Sequence, residues 1–275
     1  MFRKKSCRKP VSILNLLILA KNLLSRAKEF KKENHISFWK IFNAAALFFR
    51  EINFVDKIEK KAHYLRPREK KQGETEKIIS QILRGLGEVK SLKELFVLKR
   101  RAWAELSKIE IEKNKEILKT GIIGEIYTIG DSSINFGIEK KLGEMGIEVH
   151  RKLNLTQHLL EGLLPWREKQ LQKRVNNYLK STVGGHGRQA IDEILDFSKE
   201  NFDGVIQILP FGCMPEITVR PILQEISQKN NLPFLSISLD EQTAETGLQT
   251  RIEAFVDLLW SRRKNKKKKI LNNKV

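Results

Sequence analysis

The hydrophobic pattern of this chain changes period part-way along. From Phe38 to Phe54 the positions are mostly apolar with aromatic weight, and the polar knot Arg66-Pro67-Arg68-Glu69-Lys70-Lys71-Gln72-Gly73 breaks the pattern. Ile78, Ile79, Ile82, Leu83 and Leu86 then fall on one helical face. Ser91, with Glu94 three residues later, has the spacing of a capping box, which predicts a helix opening there and running through Leu118. Residues 36–120 therefore read as helical. From Lys119 strands and helices alternate. Strands are predicted over Gly121–Tyr127, Ile147–Val149, Gly204–Leu209 and Phe234–Leu239. The helices between them carry Ile138, Leu142 and Met145, then a longer stretch through Leu159, Leu163, Trp166 and Leu171 to Leu179. The last one places Leu248, Ile252, Phe255, Val256 and Leu259 at helical spacing. A helix between successive strands is the right-handed crossover that parallel strands need. The expected fold is α/β: a four-stranded parallel, doubly wound, flavodoxin/Rossmann-like domain preceded by a helical region.

Charge sharpens that division. The chain has 275 residues and a formal net charge of +19. Residues 1–120 hold 30 basic and 14 acidic side chains, residues 121–259 hold 14 and 19, and residues 260–275 hold 8 and none. The basic character belongs to the helical third and the tail. The expected organisation is a basic and apolar segment over 1–35, helices over 36–120, the Rossmann-like domain over 121–260 and a disordered lysine-rich tail over 261–275. The basic start and the apolar run Val11 to Ala20 superficially match a signal peptide, but the run is too short to span a bilayer and Lys21 ends it. A buried or partner-covered helix and a cytoplasmic address are expected instead. Two cysteines, Cys7 and Cys213, exclude a disulfide scaffold and a self-contained four-cysteine metal site.

In an open parallel sheet, ligands bind outside the carboxyl ends of the strands. Gly184, Gly185, His186, Gly187 and Arg188 lead into a helix and are candidates for holding an anionic cofactor: backbone N–H groups point at it, and Arg188 can grip two oxygens. The plainer reading is a turn with His186 as a capping residue. Cys213 stands at a predicted helix start with Pro215 behind it, which biases a thiol towards the thiolate that ligates metal or attacks an electrophile, although a lone cysteine is more usually buried and inert. Pro221 should kink or restart that helix. Glu125, within an apolar strand, should have a raised pKa unless hydrogen-bonded. Asp240, Glu241 and Glu245 are further acid, base or metal-ligand candidates, although Asp240 equally suits a turn cap. His150 and His158 lack companions at ligand spacing and read as surface or satisfied core residues.

The segments Gly124-Glu-Ile-Tyr127, Ile138 to His150, Val183-Gly-Gly-His-Gly187, Asp203-Gly-Val-Ile-Gln207, Pro210-Phe-Gly-Cys-Met-Pro-Glu216, Asp240-Glu-Gln-Thr243 and Thr250 to Leu259 resemble the acyl-CoA dehydratase activase-related proteins. These belong to the 2-hydroxyglutaryl-CoA dehydratase, D-component superfamily. The likeness covers about residues 36 to 262 and is most specific over 121 to 259. It implies an iron–sulfur protein working with an ATP-hydrolysing activase, with Cys213 at the place of a cluster cysteine. Gly185, His186, Glu216, Asp240 and Glu241 match other motif positions, and the catalytic candidates are Glu125, His186, Glu216, Asp240 and Glu241. Relatives carry an upstream domain with further cysteines that this chain lacks. A 4Fe–4S cluster needs about three or four protein ligands, so a cysteine-bearing partner polypeptide is expected to share it. Two other functions compete. One is a basic nucleic-acid-binding module built on the helical third and the lysine tail; the other is a non-catalytic remnant of a split protein.

Overall fold

The computed structural model describes residues 38–163, 165–181 and 183–272. The expectations for the segment 1–35, including Cys7 and Val11 to Ala20, lie outside the described residues.

Three helices come first: α1 over Phe38–Leu65, α2 over Glu74–Leu86 and α3 over Leu92–Ser107. Phe54, Ile58, Ala62 and Leu65 form a buried stripe on α1, which packs against Ile79 and Ile82 of α2 and Leu95, Ala102 and Leu106 of α3. The cap is where the spacing places it. Ser91 Oγ accepts the Glu94 N–H at 3.3 Å, and the Glu94 carboxylate accepts the Lys90 N–H at 2.8 Å, one residue ahead of the cap itself. The helix it opens ends at Ser107 instead of continuing through Leu118. Ile111 turns back to bridge Glu69, and Leu118 is a fully buried strand residue.

Strand β1 is Leu118–Gly124, followed by a short helix α4 (Ile126–Gly130), then α5 (Ile138–Glu144) and β2 (Ile147–His150). Of the helical stretch expected to end near Leu179, the described residues form α6 (Leu155–Leu163) and α7 (Pro165–Val175). Then come α8 (Gly187–Lys199), β3 (Gly204–Pro210), α9 (Met214–Lys229), β4 (Phe234–Leu239) and α10 (Glu245–Asn272). Pro221 lies inside α9 without ending it; Val219 and Leu223, both fully buried, flank it and hold the helix against the sheet. Helix α10 also departs from expectation. Residues 261–272, expected as disordered tail, continue as helix, with Arg263 gripping Asp203 at 2.7 Å and Lys267 pairing with Glu116 at 2.8 Å.

The four strands are all parallel in the order β2-β1-β3-β4. Helices cover both faces. Ile122, Ile206 and Ile237 meet Ile252 and Phe255 of α10 on one side, while Ile123 and Val205 meet Ile191, Phe197 and Leu223 on the other. Strands apolar on both faces are what a doubly covered parallel sheet requires. The α/β fold behind a helical region is thus as expected.

The helical region joins the sheet through buried charge. Arg151, just after β2, bonds Glu59 of α1 and Glu139 of α5, the latter at 3.1 Å, and His63 of α1 reaches the same Glu139 at 3.0 Å. Beside them Arg68 pairs with Glu148 of β2 at 2.5 Å. Burial works to raise the Glu139 carboxyl, but Arg151 and His63 outweigh it and hold it down at about 2. Burial raises Glu59, against the pull of Arg151. Among the described residues no helix is long and apolar enough to cross a membrane.

Candidate functional site

The carboxyl ends of β1 and β3 lie side by side, and the close approach is set by one glycine. Gly124 has φ +132°, and a Cβ there would stand 1.9 Å from the Ile208 carbonyl oxygen of β3. The chain then turns, and Glu125 donates its own N–H to that carbonyl at 3.1 Å. Its side chain caps α4, accepting the N–H groups of Tyr127 at 2.9 Å and Thr128 at 2.8 Å. Glu125 is therefore a cap residue beyond the strand end, not the strand carboxylate that was expected.

Beyond β3 the sequence Phe211-Gly-Cys-Met-Pro-Glu216 makes a strand-to-helix turn. Gly212 has φ +77°, and Cys213 is the half-buried residue at the cap position of α9. Pro215 suits the first turn. Glu216 points inward and is completely buried. A short polar chain fixes it: Ser236 Oγ of β4 donates to Gln207 Oε1 at 2.8 Å, so the Gln207 amide turns its Nε2 towards Glu216 and donates to its Oε2 at 2.9 Å. The same Nε2 donates to the Glu216 backbone carbonyl at 3.1 Å. Glu216 Oε1 is buried without a hydrogen-bond partner. Burial raises this carboxyl to about 7, the Gln207 bond opposes the rise and the Glu125 charge adds to it. A carboxyl that exchanges its proton near neutral pH has the acidity that general acid–base work needs.

The cysteine corrects the expectation of an activated thiolate. Burial pushes the Cys213 thiol up; the Glu216 backbone N–H pulls it down, and the Glu216 and Glu125 carboxylates add to the rise. The two acids and burial outweigh the helix start.

The glycine-rich loop packs against this turn. A Cβ on Gly185 would meet Pro215 Cγ at 3.0 Å, and one on Gly187 would meet the Pro215 carbonyl at 3.1 Å. His186 stands at the cap position of α8 but makes no side-chain cap bond. It faces His158 of α6 instead, with Nε2 to Nδ1 at 3.1 Å, and burial followed by His158 lowers it to about 4. His158, read from sequence as lacking a companion, has one. His150 also does, pairing with Glu148 at 2.9 Å.

Asp240 and Glu241, after β4, are exposed. Asp240 Oδ1 accepts from Thr243 Oγ1 at 2.6 Å and from the Gln242 N–H at 3.1 Å, so its carboxylate closes a turn. Loop glycines, Cys213, Glu216 and Glu125 come together; Asp240 is spent on its own loop. Gln207 and Ser236 were missed. Their signal was a pair of polar residues at neighbouring positions of two apolar strands, which takes meaning only once the register pairs them.

The residue types bear on metal binding. Among the described residues no group of three or more His, Cys, Asp or Glu side chains converges on one point. A cluster held by about four thiolates does not fit these residues alone. One thiol on a glycine turn, with exposed Phe211 and Met214 beside it, fits one corner of such a site.

Residues 166–259 match the model of the family 2-hydroxyglutaryl-CoA dehydratase, D-component. This stretch of the chain is similar to that dehydratase component. The match runs from α7 through β4 into the first half of α10, with the glycine loop, Cys213, Glu216 and Asp240 inside it, and leaves β1, β2 and Glu125 outside. It is narrower than the likeness read from the motifs. No curated protein matches the chain.

Proposed function

We propose that this protein is an iron–sulfur subunit related to the 2-hydroxyacyl-CoA dehydratases, in which Cys213 is one ligand of a 4Fe–4S cluster completed by cysteines of a partner polypeptide. The observation that carries the reading is Cys213 itself: a half-buried thiol on a glycine turn at the carboxyl end of β3, inside the family match. When bound, the cluster would supply one-electron chemistry. This chain's own part is to present the thiol and manage protons around it. Gln207 and Ser236 hold Glu216 with Oε1 unbonded, which leaves that oxygen to carry the proton when the carboxyl is neutral. An ATP-hydrolysing activase would deliver electrons to such a system.

Anaerobic co-expression with a cysteine-rich neighbouring gene product, followed by iron and sulfide analysis, tests the reading. Iron and sulfide are expected in the complex and are expected to fall sharply in Cys213→Ser. No iron, or iron unchanged by that substitution, would overturn the reading and favour the remnant.

A further inference from the structure

The first three turns of α1 read Phe38-Trp-Lys-Ile-Phe-Asn-Ala-Ala-Ala-Leu-Phe-Phe49, apolar almost all round, and a helix of that composition is ordinarily covered on every side. Among the described residues nothing covers it fully: from Trp39 on, the first buried residue is Ile52, and Trp39 is 69% exposed, Phe42 55% and Phe49 38%. Helix α3 extends this surface, with Phe96 at 69% and Trp103 at 40%. Phe96 and Trp103 stand about one turn either side of Lys99, whose Nζ bonds the Arg50 carbonyl at 3.3 Å and so ties the two helices together. Five aromatic side chains of roughly 150–250 Å² apiece, each bare over the fraction given, leave about 400–700 Å² exposed, the upper end of the largest patch a monomer carries and a size that often marks a binding surface.

The rim of this face says what covers it. No acidic residue occurs between Phe38 and Arg50, and the Glu94 carboxylate is already engaged by the Lys90 N–H. Lys40, Arg50, Lys93 and Arg100 are exposed around the rings. Lys99 is pulled below the usual lysine range by burial and then by the neighbouring charges of Lys57 and Arg50, with Glu51 opposing. Cations crowded in this way attract carboxylates and repel a second copy of themselves. The shape also selects. Trp39 and Phe42 are already set edge to face, 6.2 Å between centroids and 86° between planes, so this pair forms no stacking slot for a base. Ala44, Ala45 and Ala46 beside them allow the close approach of another helix.

We propose that the aromatic face shared by α1 and α3 is a docking surface for an acidic amphipathic helix of a partner polypeptide. Leucine-type residues of that helix lie on the rings, and its Glu or Asp residues meet Arg50, Lys99 and Arg100. This is the helix-in-groove mode of recognition with the charges assigned. The proposal is independent of the cluster reading. Its test needs no iron, and Cys213→Ser should leave the result unchanged.

The test uses the full chain and two synthetic helical peptides with the same leucine stripe, one carrying Glu and the other Lys at the polar positions. Tryptophan emission, with Trp39→Phe and Trp103→Phe to assign it, reports binding. The acidic peptide is expected to bind at least tenfold more tightly than the basic one and to weaken as salt rises. Arg50→Glu with Arg100→Glu should cost about tenfold, as should Phe42→Ser with Phe96→Ser, all at exposed positions where the fold by circular dichroism should not change. Equal affinity for both peptides overturns the proposal. So does a response to oligo-dT with none to the acidic peptide, or a dimer in sedimentation that Phe42→Ser with Phe96→Ser dissolves. Acrylamide that fails to quench Trp39 in the free chain also overturns it, since residues 11–20 of the chain itself would then be the cover.

Discussion

A single buried carboxyl, Glu216, illustrates how little of a site's chemistry resides in residue type. Glu125 and Glu216 are both glutamates at the carboxyl end of the sheet, yet one caps a helix with two backbone N–H bonds and the other is sealed inside with one oxygen unbonded. The folded carboxyl of Glu216 titrates at about 7, above the ordinary value of 4.5. Its neutral form is the one the fold favours. The contribution of Glu216 to stability is therefore complete below about 4.5 and is lost as pH rises through about 7. Glu216→Gln keeps the shape and the Gln207 bond while removing the titration. The variant should be more stable than the parent at pH 8, by roughly 1–3 kcal/mol, and nearly equal to it at pH 4. Urea midpoints across that range check this; a variant less stable at pH 8 would contradict the neutral-acid assignment.

Among the elements, β1 depends most on one small residue. Gly124→Ala would thrust a methyl group into the Ile208 carbonyl, at a φ that side chains rarely adopt, with backbone rather than a flexible side chain as the obstacle. A loss of about 3 kcal/mol or more is expected, read as a fall in the thermal midpoint. Gly212→Ala at the cysteine turn has open space around it and strains only its backbone, so it should cost about 1–2 kcal/mol. How far these elements were legible follows from what each depends on. The apolar run of β3 announced itself because both its faces are buried, and the edge strands β2 and β4 because apolar and polar residues alternate along them. Ser91 announced α3 because capping is local. The end of α3 did not, since Leu118 belongs to a strand only through its pairing with Ile147. The helical tail was hidden too. Its lysines read as a solvated run, and Asp203 and Glu116, which hold it, come from distant parts of the sequence. The candidate site was half legible: glycines and Cys213 mark it, but the Ser236–Gln207–Glu216 chain exists only in the register of β3 and β4.

For the whole molecule, the junction of helices and sheet is electrostatic where most interiors are apolar. Arg151 serves two carboxylates at once, and removing it leaves Glu59 buried without its cation and Glu139 with His63 as its remaining partner. Arg151→Met should cost about 3–5 kcal/mol at pH 7. The acid limb carries a second signature. Glu139 is depressed to about 2, so its contribution is present above 4.5 and lost as pH falls through about 2. In the parent, stability should decline over that interval; in Arg151→Met the decline attributable to Glu139 should shrink, because His63 alone is left to hold that carboxyl down, as denaturant midpoints at pH 3, 5 and 7 would show. The strand order has its own consequence, for synthesis. The central strand β1 is made early, but its partner on one side, β3, pairs Ile208 with Gly124, which lies 84 residues earlier in the chain. At 5–20 residues per second the ribosome leaves that flank waiting for roughly 4–17 s. Throughout that interval an apolar strand shows a row of unpaired backbone groups, the template on which nascent chains stick to one another. A cell making this protein therefore has to shelter its first half until the second half arrives.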